Sequence, residues 1–462
     1  MSRISRHTFL HRLSSLHIDD LVFLPAIGKF PDVGKHPYAA KRDMAHLEEY
    51  QSSDFEPFAI IPSVPMTGVG YIVKEGGFTE MVVKTFSLDR LHSIRQLGFL
   101  QRPTPLQGGS EITTIPINFS QSRYVHVLDV QTILVLMLHN NGISGSDLYT
   151  ARAAALLHDT LTPAGGDTTK LIDREAFDED LHFPELLANR EWGELRRKFH
   201  IDPLLLIDTV QGNSHLSGFL DIADKIAYTC RDYMNLVGIP IGAPQKKDSM
   251  FYPLSQLTSK HHTICGLWDT VHVMNGRIVF TNPRHLENFL KLRALMFRNL
   301  YYDAVSRFTE FVVGRVIMQH LYQKGILTRE TLLSMTDWEL ESIMSQFLDG
   351  HRFGSHHLGR YTSHVECYPD MTQGRRREEE LHKQNLKFTL LEEVSCRTKS
   401  GVHYLVKGPG GVLSFSESFP KAARKIDSYM KLDLPVRLYW LENADISPNL
   451  LNALASYIDE KK

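Results

Sequence analysis

Cysteine is scarce in this sequence. The 462 residues include four cysteines, which stand far apart at positions 230, 265, 367 and 396 without CxxC or CxxH spacing. Disulfide frameworks and zinc ribbons both depend on several cysteines at short, regular spacings. The sequence therefore argues against both, and we expect reduced thiols.

Long apolar runs are also missing. The longest uninterrupted run extends from Ile133 to Leu138, far short of the roughly 20 residues that span a bilayer. The first residues, MSRISRHTFLHRL, contain no apolar stretch of the kind found in signal peptides. We therefore expect a cytoplasmic protein with no membrane segment.

An excess of charge of one sign is absent as well. The chain has 51 basic and 53 acidic residues, for a formal net charge of -2. A broad nucleic-acid-binding surface needs many more cations than anions. No such surface is expected, although a local basic pocket remains compatible with the composition.

The remaining composition is that of a globular protein, with 42% apolar residues and enough length for two to four domains at roughly 100–200 residues each. The pattern predicts a mainly α fold with four parts: an N-terminal arm (1–65), a helical domain (66–350), a linker (351–380) and a small α+β domain (381–462). A charge block at 375–380 marks the last change in composition.

Hydrophobic periodicity predicts the main elements of the helical domain. Helices are expected at 124–139, 147–159 and 215–235, with one or two long helices at 284–325. A short hairpin is expected at 68–77 and helical turns at 86–98. Beyond 386, alternating segments around a GPGG turn predict strands, and a helix begins near Pro448.

Four residues form the most informative constellation: His126, the adjacent pair His158 and Asp159, and Asp224. Imidazole nitrogens and carboxylate oxygens are ligands for borderline-to-hard divalent ions, and four such ligands leave coordination positions for water or substrate. If the helices at 124–139 and 147–159 are antiparallel, His126 and His158 meet. A lone His-Asp dipeptide is weak evidence of a metal site, whereas the spaced set is stronger.

With the residues around it, this set resembles the HD-domain metallophosphohydrolases, and particularly the deoxynucleoside triphosphate triphosphohydrolases and their bacterial relatives. The resemblance runs from about residue 68 to 345. The motifs that carry it are RLHSIRQLG at 90–98, RYVH at 123–126, the His158-Asp159 pair, DKIAYTCRD at 224–232, and Arg293 with Tyr301. The segment at 224–232 is the most specific of these matches.

The resemblance implies an all-helical HD domain that holds one divalent ion through His126, His158, Asp159 and Asp224. The ion would be Fe, Mn, Zn, Ni, Co or Mg, and would activate a water molecule and polarise a phosphate oxygen. The resemblance also implies a homo-oligomer, either a dimer or a tetramer.

Eight further residues are implied to bind the substrate. Gln96 and Leu97 would lie at a nucleotide sugar, Asp232 at its 3′-hydroxyl and Tyr228 against its ring. Tyr301 would lie near the base. Three cations would bind phosphate oxygens, namely Arg123, Lys225 and Arg293. Structural alternatives stay open, since Leu97 and Tyr301 suit core packing and the cations suit solvent-facing positions.

The acid–base part of the family pattern is different here. The triphosphohydrolases carry two histidines after the His-Asp pair and a later His-Glu pair. This sequence has Thr160 to Asp167 in the first place and FDEDLH at 177–182 in the second. Asp167, Glu179 and His182 are the candidate proton donors, and a carboxyl group can serve only if burial raises its pKa.

We therefore expect a metal-dependent phosphohydrolase that acts on a nucleotide or a related phosphoester. Two alternatives stay open. One is a phosphodiesterase or phosphomonoesterase acting on a non-nucleotide metabolite. The other is a regulatory module that binds nucleotide or metal without turnover.

Overall fold

The structure is a computed structural model. It describes residues 20–25, 57–64, 69–101, 104–108, 111–115, 121–189, 191–238, 266–302, 304–348, 362–384, 389–394, 401–408, 410–430, 435–442 and 448–460. The fold is mainly α, with a smaller sheet region in the C-terminal part, which confirms the predicted fold class. Within the described residues, no helix combines the length and apolar character needed to cross a membrane.

The helices are α1 (Phe78–Thr85), α2 (Arg123–Asn140), α3 (Gly145–Leu157), α4 (Glu179–Leu186), α5 (Trp192–Phe199), α6 (Pro203–Val210), α7 (Ser217–Gly238), α8 (Pro283–Met296), α9 (Ala304–Phe311), α10 (Gln319–Gln323), α11 (Arg329–Ser334), α12 (Asp337–Phe347), α13 (Met371–Lys383), α14 (Phe415–Ser418), α15 (Pro420–Met430) and α16 (Pro448–Glu460). The strands are β1 (Leu21–Pro25), β2 (Pro57–Val64), β3 (Val69–Lys74), β4 (Thr104–Gly108), β5 (Glu111–Ile115), β6 (Val271–Met274), β7 (Arg277–Phe280), β8 (Thr362–Tyr368), β9 (Thr389–Glu393), β10 (Leu405–Gly408), β11 (Gly411–Ser414) and β12 (Val436–Glu442).

Helix α2 lies at the centre of the helical core. It begins where the Ser122 side chain accepts a hydrogen bond from the Val125 amide at 3.4 Å, which satisfies one of the free amides of the first turn. Its residues from Val127 to Leu138 are all buried, as expected of a helix that is apolar nearly all round. Helices α3 and α7 pack against it, so the helix predictions for this region are confirmed.

The hairpin predicted at 68–77 is wrong. Val69–Lys74 is instead the central strand of a three-stranded antiparallel sheet, with β1 on one side and β2 on the other. Both partners come from the segment expected as an arm. The pairing is stabilised beside β1, where the buried Asp20 carboxylate accepts hydrogen bonds from Thr79 and forms an ion pair with Arg152 at 2.7 Å.

The helical turns predicted at 86–98 are present only in part. A 3₁₀ helix spans Leu88–Ser93. Ser87, just before it, has a left-handed φ of 52° and separates this helix from α1. Leu88, Leu91 and Ile94 are all buried. Their three-residue spacing suits a 3₁₀ helix, in which residues i and i+3 lie above one another, as well as an α-helix.

The stretch 351–380, expected as a linker, contains strand β8 and most of α13. Strand β8 pairs with β12, which also pairs with β9, so β8 completes a sheet with the later strands. Strand β10 adds in parallel to β7 of the helical part, and α15 packs against α8. The C-terminal part therefore shares one hydrophobic core with the helices, through residues such as Val406 and Ile426.

Candidate metal centre

Three helices bring the four candidate ligands together. His126 lies in the first turn of α2, His158 and Asp159 follow the end of α3, and Asp224 lies on α7. One ligand atom from each of His126, His158 and Asp159 lies within 4.8 Å of the others, so this group could hold a metal ion. Oδ1 of Asp224 lies 3.0 Å from Nε2 of His126 and 3.9 Å from Nε2 of His158.

The ring of His158 is oriented by the main chain. Its Nδ1 lies 2.9 Å from the carbonyl oxygen of Ala155. Donation of a proton to that carbonyl leaves a lone pair on Nε2, which is the arrangement usual for a histidine that binds metal. Nε2 is buried and has no hydrogen-bond partner among the described residues. The donor set and this unpartnered nitrogen fit a divalent ion.

The charges around the cluster favour ionised carboxylates. Burial raises the pKa of Asp159, but Arg123, whose Nη1 lies 2.7 Å from Oδ2, acts with the charges of His158 and His126, and together they hold that pKa well below its usual range. Burial lowers the pKa of His126, yet the hydrogen bond to Asp224 and the negative charges of Asp224 and Asp159 together outweigh burial and raise it. The cluster thus contains anionic ligands of the kind that a cation needs.

Two solved structures share this architecture. A hypothetical protein from Aquifex aeolicus is 16% identical, with a TM-score of 0.60 over 88% of this chain and 100% of that chain. A phosphohydrolase from Bacteroides thetaiotaomicron is 14% identical, with a TM-score of 0.57 over 84% of this chain and 100% of that chain. The chain therefore shares its fold with these two structures, one of which is a phosphohydrolase. No protein-family model matches it, and no curated protein matches its sequence.

Arg123 connects the cluster to the candidate acids. Its side chain is buried and its Nη2 lies 3.5 Å from Oδ2 of Asp167. Lys170 then joins Asp167 to Glu179, with Nζ at 3.1 Å from the first carboxylate and 2.6 Å from the second. The structure thus places Asp167 and Glu179 in one charged network next to the ligands.

The two carboxyl groups differ in pKa. Desolvation raises the pKa of Asp167, but the charges of Lys170 and Arg123 and the hydrogen bond from Lys170 together outweigh it and lower that pKa. Burial raises the pKa of Glu179, and Lys170 and Arg123 offset only part of this effect. Thr162 also donates a hydrogen bond to Glu179 at 3.1 Å. Glu179 therefore meets the pKa condition for a proton donor and Asp167 does not.

His182 is not brought to this network. Its Nδ1 lies 2.6 Å from a carboxylate oxygen of Glu185, and its Nε2 lies 3.1 Å from the carbonyl oxygen of Glu175. Both ring nitrogens are thus engaged with groups outside the ligand cluster.

The residues implied to bind the nucleoside form two pairs, which join α7 to α8 and to the π-helical turn Phe297–Tyr301 that follows α8. Nε of Arg293 donates to the hydroxyl of Tyr228 at 3.0 Å, and the hydroxyl of Tyr301 donates to Oδ2 of Asp232 at 2.6 Å. The rings of Tyr228 and Tyr301 meet edge to face, with centroids 6.2 Å apart. Arg293 is buried and not solvent-facing.

Gln96 and Leu97 are buried beside the start of α2. The amide of Gln96 donates to the carbonyl of Gln121 at 3.4 Å, and the Arg123 amide donates to Ile94 at 2.8 Å. Leu97 belongs to the hydrophobic core. Gly98 has a φ of +50°, and a Cβ there would lie 2.3 Å from the Gly165 oxygen. The segment that contains Gln96 and Leu97 therefore packs closely against the segment that contains Gly165 and Asp167.

Three contacts near the site were not predicted from the sequence. Lys170 is three residues from Asp167, a spacing that could have indicated the ion pair. Arg231 binds Asp129 of α2 through Nε at 2.5 Å and Nη2 at 2.8 Å. Tyr404, from the C-terminal part, lies 3.0 Å from Nζ of Lys225, and no local pattern could have indicated that contact.

Proposed function

We propose that this protein is a metal-dependent phosphohydrolase that cleaves a phosphoester or phosphoanhydride bond of a nucleotide-type substrate. The observation that carries the proposal is the orientation of His158, whose Nδ1 is engaged by Ala155 while Nε2 faces the carboxylates. The phosphohydrolase among the solved structures of this fold and the motif resemblance support the same activity.

Four residues would hold one divalent ion: His126, His158, Asp159 and Asp224. The ion would supply Lewis-acid chemistry, lowering the pKa of a coordinated water and polarising a phosphate oxygen. Arg123 keeps Asp159 ionised through its 2.7 Å ion pair. Because Arg123 is buried beside the ligands, it also supplies fixed positive charge where charge develops on phosphate oxygens.

Glu179 is the proposed proton donor to the leaving oxygen. Its raised pKa keeps a larger fraction protonated than in an exposed glutamate, and Lys170 at 2.6 Å and Thr162 at 3.1 Å orient the carboxyl group. Asp167 stays ionised and its proposed part is to hold Lys170 and Arg123 in place. These roles replace the family's absent histidines.

The proposed substrate is a nucleotide because α7 and α8 together carry two cations, Lys225 and Arg293, and the buried carboxyl group of Asp232. Lys225 and Arg293 would bind phosphate oxygens. Oδ1 of Asp232 is buried and has no hydrogen-bond partner among the described residues, which suits a sugar hydroxyl as donor. Since Asp232 is fully buried, a sugar would reach it only when the Tyr301 side chain moves.

The proposal is tested by metal analysis of the purified wild type and of the Asp159→Ala and His158→Ala variants. Each is then incubated with a panel of nucleotides and phosphodiesters with added manganese. Asp427→Ala is the matched control, because Asp427 is exposed on α15. Wild type and control should retain stoichiometric metal and hydrolyse a panel member, while both ligand variants lose metal and activity but keep a cooperative thermal transition.

Two results would contradict the proposal. Equal metal content in wild type and both ligand variants would show that these residues do not form the site. Stoichiometric metal in wild type with no turnover of any panel member would favour a binding module. The products of a positive reaction identify the bond that is cleaved.

The proposed active domain comprises residues 66–350, with the C-terminal part packed on it. A dimer or tetramer and a cytoplasmic location remain predictions from the sequence. Size-exclusion chromatography with light scattering tests the first of these.

A further inference from the structure

A loop of the C-terminal part, Gly401–Tyr404, lies outside the region of family resemblance and is held firmly in place. The amide of Tyr404 donates to the Gly401 carbonyl at 3.0 Å, and the amide of Phe415 donates to the Tyr404 carbonyl at 2.8 Å. The Ser416 amide donates to Val402 at 2.9 Å. Two of these hydrogen bonds join the loop to the start of α14.

The loop also rests on the helical core. Gly401 has a φ of +74°, and a Cβ there would lie 2.6 Å from Cδ2 of Leu290. Leu290 is on α8, the helix that carries Arg293. The ring of Tyr404 contacts Phe280 of β7, with centroids 5.4 Å apart. Packing thus sets the Tyr404 hydroxyl relative to α7 and α8.

The hydroxyl of Tyr404 meets the ammonium group of Lys225. Nζ of Lys225 lies 3.0 Å from that hydroxyl and 2.6 and 2.5 Å from the two carboxylate oxygens of Asp221. An ammonium has three donors, and these three contacts use them all. The Tyr404 hydroxyl in turn donates to Oδ2 of Asp221 at 3.2 Å.

The surroundings of the loop are cationic. Desolvation and the positive charges of Lys225 and Arg293 lower the pKa of His403, and the negative charge of Asp221 offsets them only in part. Asp221 is half exposed, whereas Lys225 is largely covered. A phosphate group that enters would therefore meet Lys225 and displace Asp221, whose side chain is half exposed, while packing holds Tyr404.

We propose that the Gly401–Tyr404 loop is a wall of the substrate's phosphate-binding region and that Tyr404 is a positioning residue for Lys225. The hydroxyl of Tyr404 keeps the ammonium in place when a phosphate oxygen replaces Asp221. This inference rests on the proposed function for the role of Lys225. It adds a residue of the C-terminal part, Tyr404, to the substrate-binding site.

The test measures binding of inorganic tripolyphosphate by isothermal titration calorimetry to the full-length protein, with metal content checked before and after. Tyr404→Phe removes the hydroxyl and keeps the ring. Its dissociation constant should rise about three- to tenfold, the effect expected for one ordinary hydrogen bond, because the hydroxyl acts on the ligand only through Lys225. Tyr429→Phe, a tyrosine of α15 that packs near Lys425, should bind as wild type does.

A double-mutant cycle separates positioning from simple packing. If Tyr404 acts through Lys225, Tyr404→Phe has no further effect on binding in a Lys225→Ala background. An undiminished effect in that background would overturn the positioning role. Thermal unfolding of each variant identifies any loss of binding that comes from misfolding.

The remaining outcomes are equally decisive. Unchanged binding by Tyr404→Phe overturns the inference, and so does a wild type that does not bind tripolyphosphate. Hydrolysis of the nucleotides and phosphodiesters is measured in a separate experiment. Turnover without the Tyr404 effect leaves the proposed function intact, whereas the Tyr404 effect without turnover supports the phosphate wall and contradicts the hydrolase.

Discussion

Arg231 of α7 binds the fully buried carboxylate of Asp129 on α2 through two nitrogens, at 2.5 and 2.8 Å. Asp129 is three residues after His126, and Arg231 is seven residues after Asp224. The pair therefore fixes the two helices that carry opposite sides of the candidate metal centre, one or two turns from the ligands themselves.

Removal of one partner of this pair should destabilise the fold strongly. Arg231→Ala leaves an uncompensated buried charge, for which the expected loss is roughly 3–5 kcal/mol in the free energy of unfolding. The measurement is urea unfolding followed by circular dichroism. Arg377→Ala is the matched control, since its partners Glu366 and Glu380 are part-exposed and surface ion pairs of this kind contribute little to stability. Similar losses for both variants would contradict the prediction.

Glu179→Gln should lower kcat and leave the metal content unchanged. If Glu179 donates a proton, kcat is highest below its pKa and falls as pH rises through that raised value. The variant cannot ionise at this position, so the descending limb should disappear, with a loss of roughly 100-fold or more in kcat at its optimum. The pH profile of kcat for the best panel substrate is the measurement.

Asp167→Asn is the control for the fall of kcat at high pH. The pKa of Asp167 is lowered, so its carboxylate is ionised across the working range and its removal should leave the descending limb in place. Loss of the limb in Asp167→Asn but not in Glu179→Gln would assign the proton donor to Asp167 instead.

Asp232 should make substrate binding depend on pH near neutrality. Burial raises its pKa to about 7, and the hydrogen bond from Tyr301 lowers it only in part. An ionised Asp232 is the better acceptor for a sugar hydroxyl, so KM should fall as pH rises through about 7. Tyr301→Phe should move this transition to higher pH, and Asp232→Asn should abolish it. A pH-independent KM in wild type would contradict the role of Asp232.

Glu310 should make stability fall as pH rises. It is buried on α9 beside Arg307, and burial raises its pKa from 4.5 to about 7. Between these values the unfolded chain loses its proton while the folded state keeps it, so the free energy of unfolding decreases with rising pH. The difference in Tm between Glu310→Gln and wild type should therefore become more positive from about pH 5 to pH 8. Scanning calorimetry measures it, and a constant difference would disprove the assignment.

The local pattern of the sequence was sufficient for the helices around the candidate metal centre. Helices α2, α3 and α7 follow from apolar residues at helical spacing, because a helix forms its hydrogen bonds within one segment. Only a short turn separates the end of α2 from the start of α3, so the two helices are antiparallel neighbours. This arrangement brings His126 and His158 together, with ring centroids 5.6 Å apart. The mainly α fold and the meeting of these two side chains could be predicted for that reason.

The strand partners and the side chains beyond the ligands depended on tertiary structure. Strand β3 was expected to turn back on itself, but it pairs with β1 and β2, since a strand finds its hydrogen bonds on distant segments. The raised pKa of Glu179 and the lowered pKa of Asp167 come from burial and from the charges of Lys170 and Arg123. Burial and the distances between charges cannot be read from the composition.

The sequence by itself determined which residue types stand at helical spacing, and so the candidate ligands His126, His158, Asp159 and Asp224. Only the tertiary structure decided that Glu179 and not His182 joins their charged network, and that Tyr404 meets Lys225 across 179 positions of the chain. The physical reason is range: helical hydrogen bonds connect residues four apart, whereas burial, electrostatic fields and packing are set by segments that meet only in the folded protein.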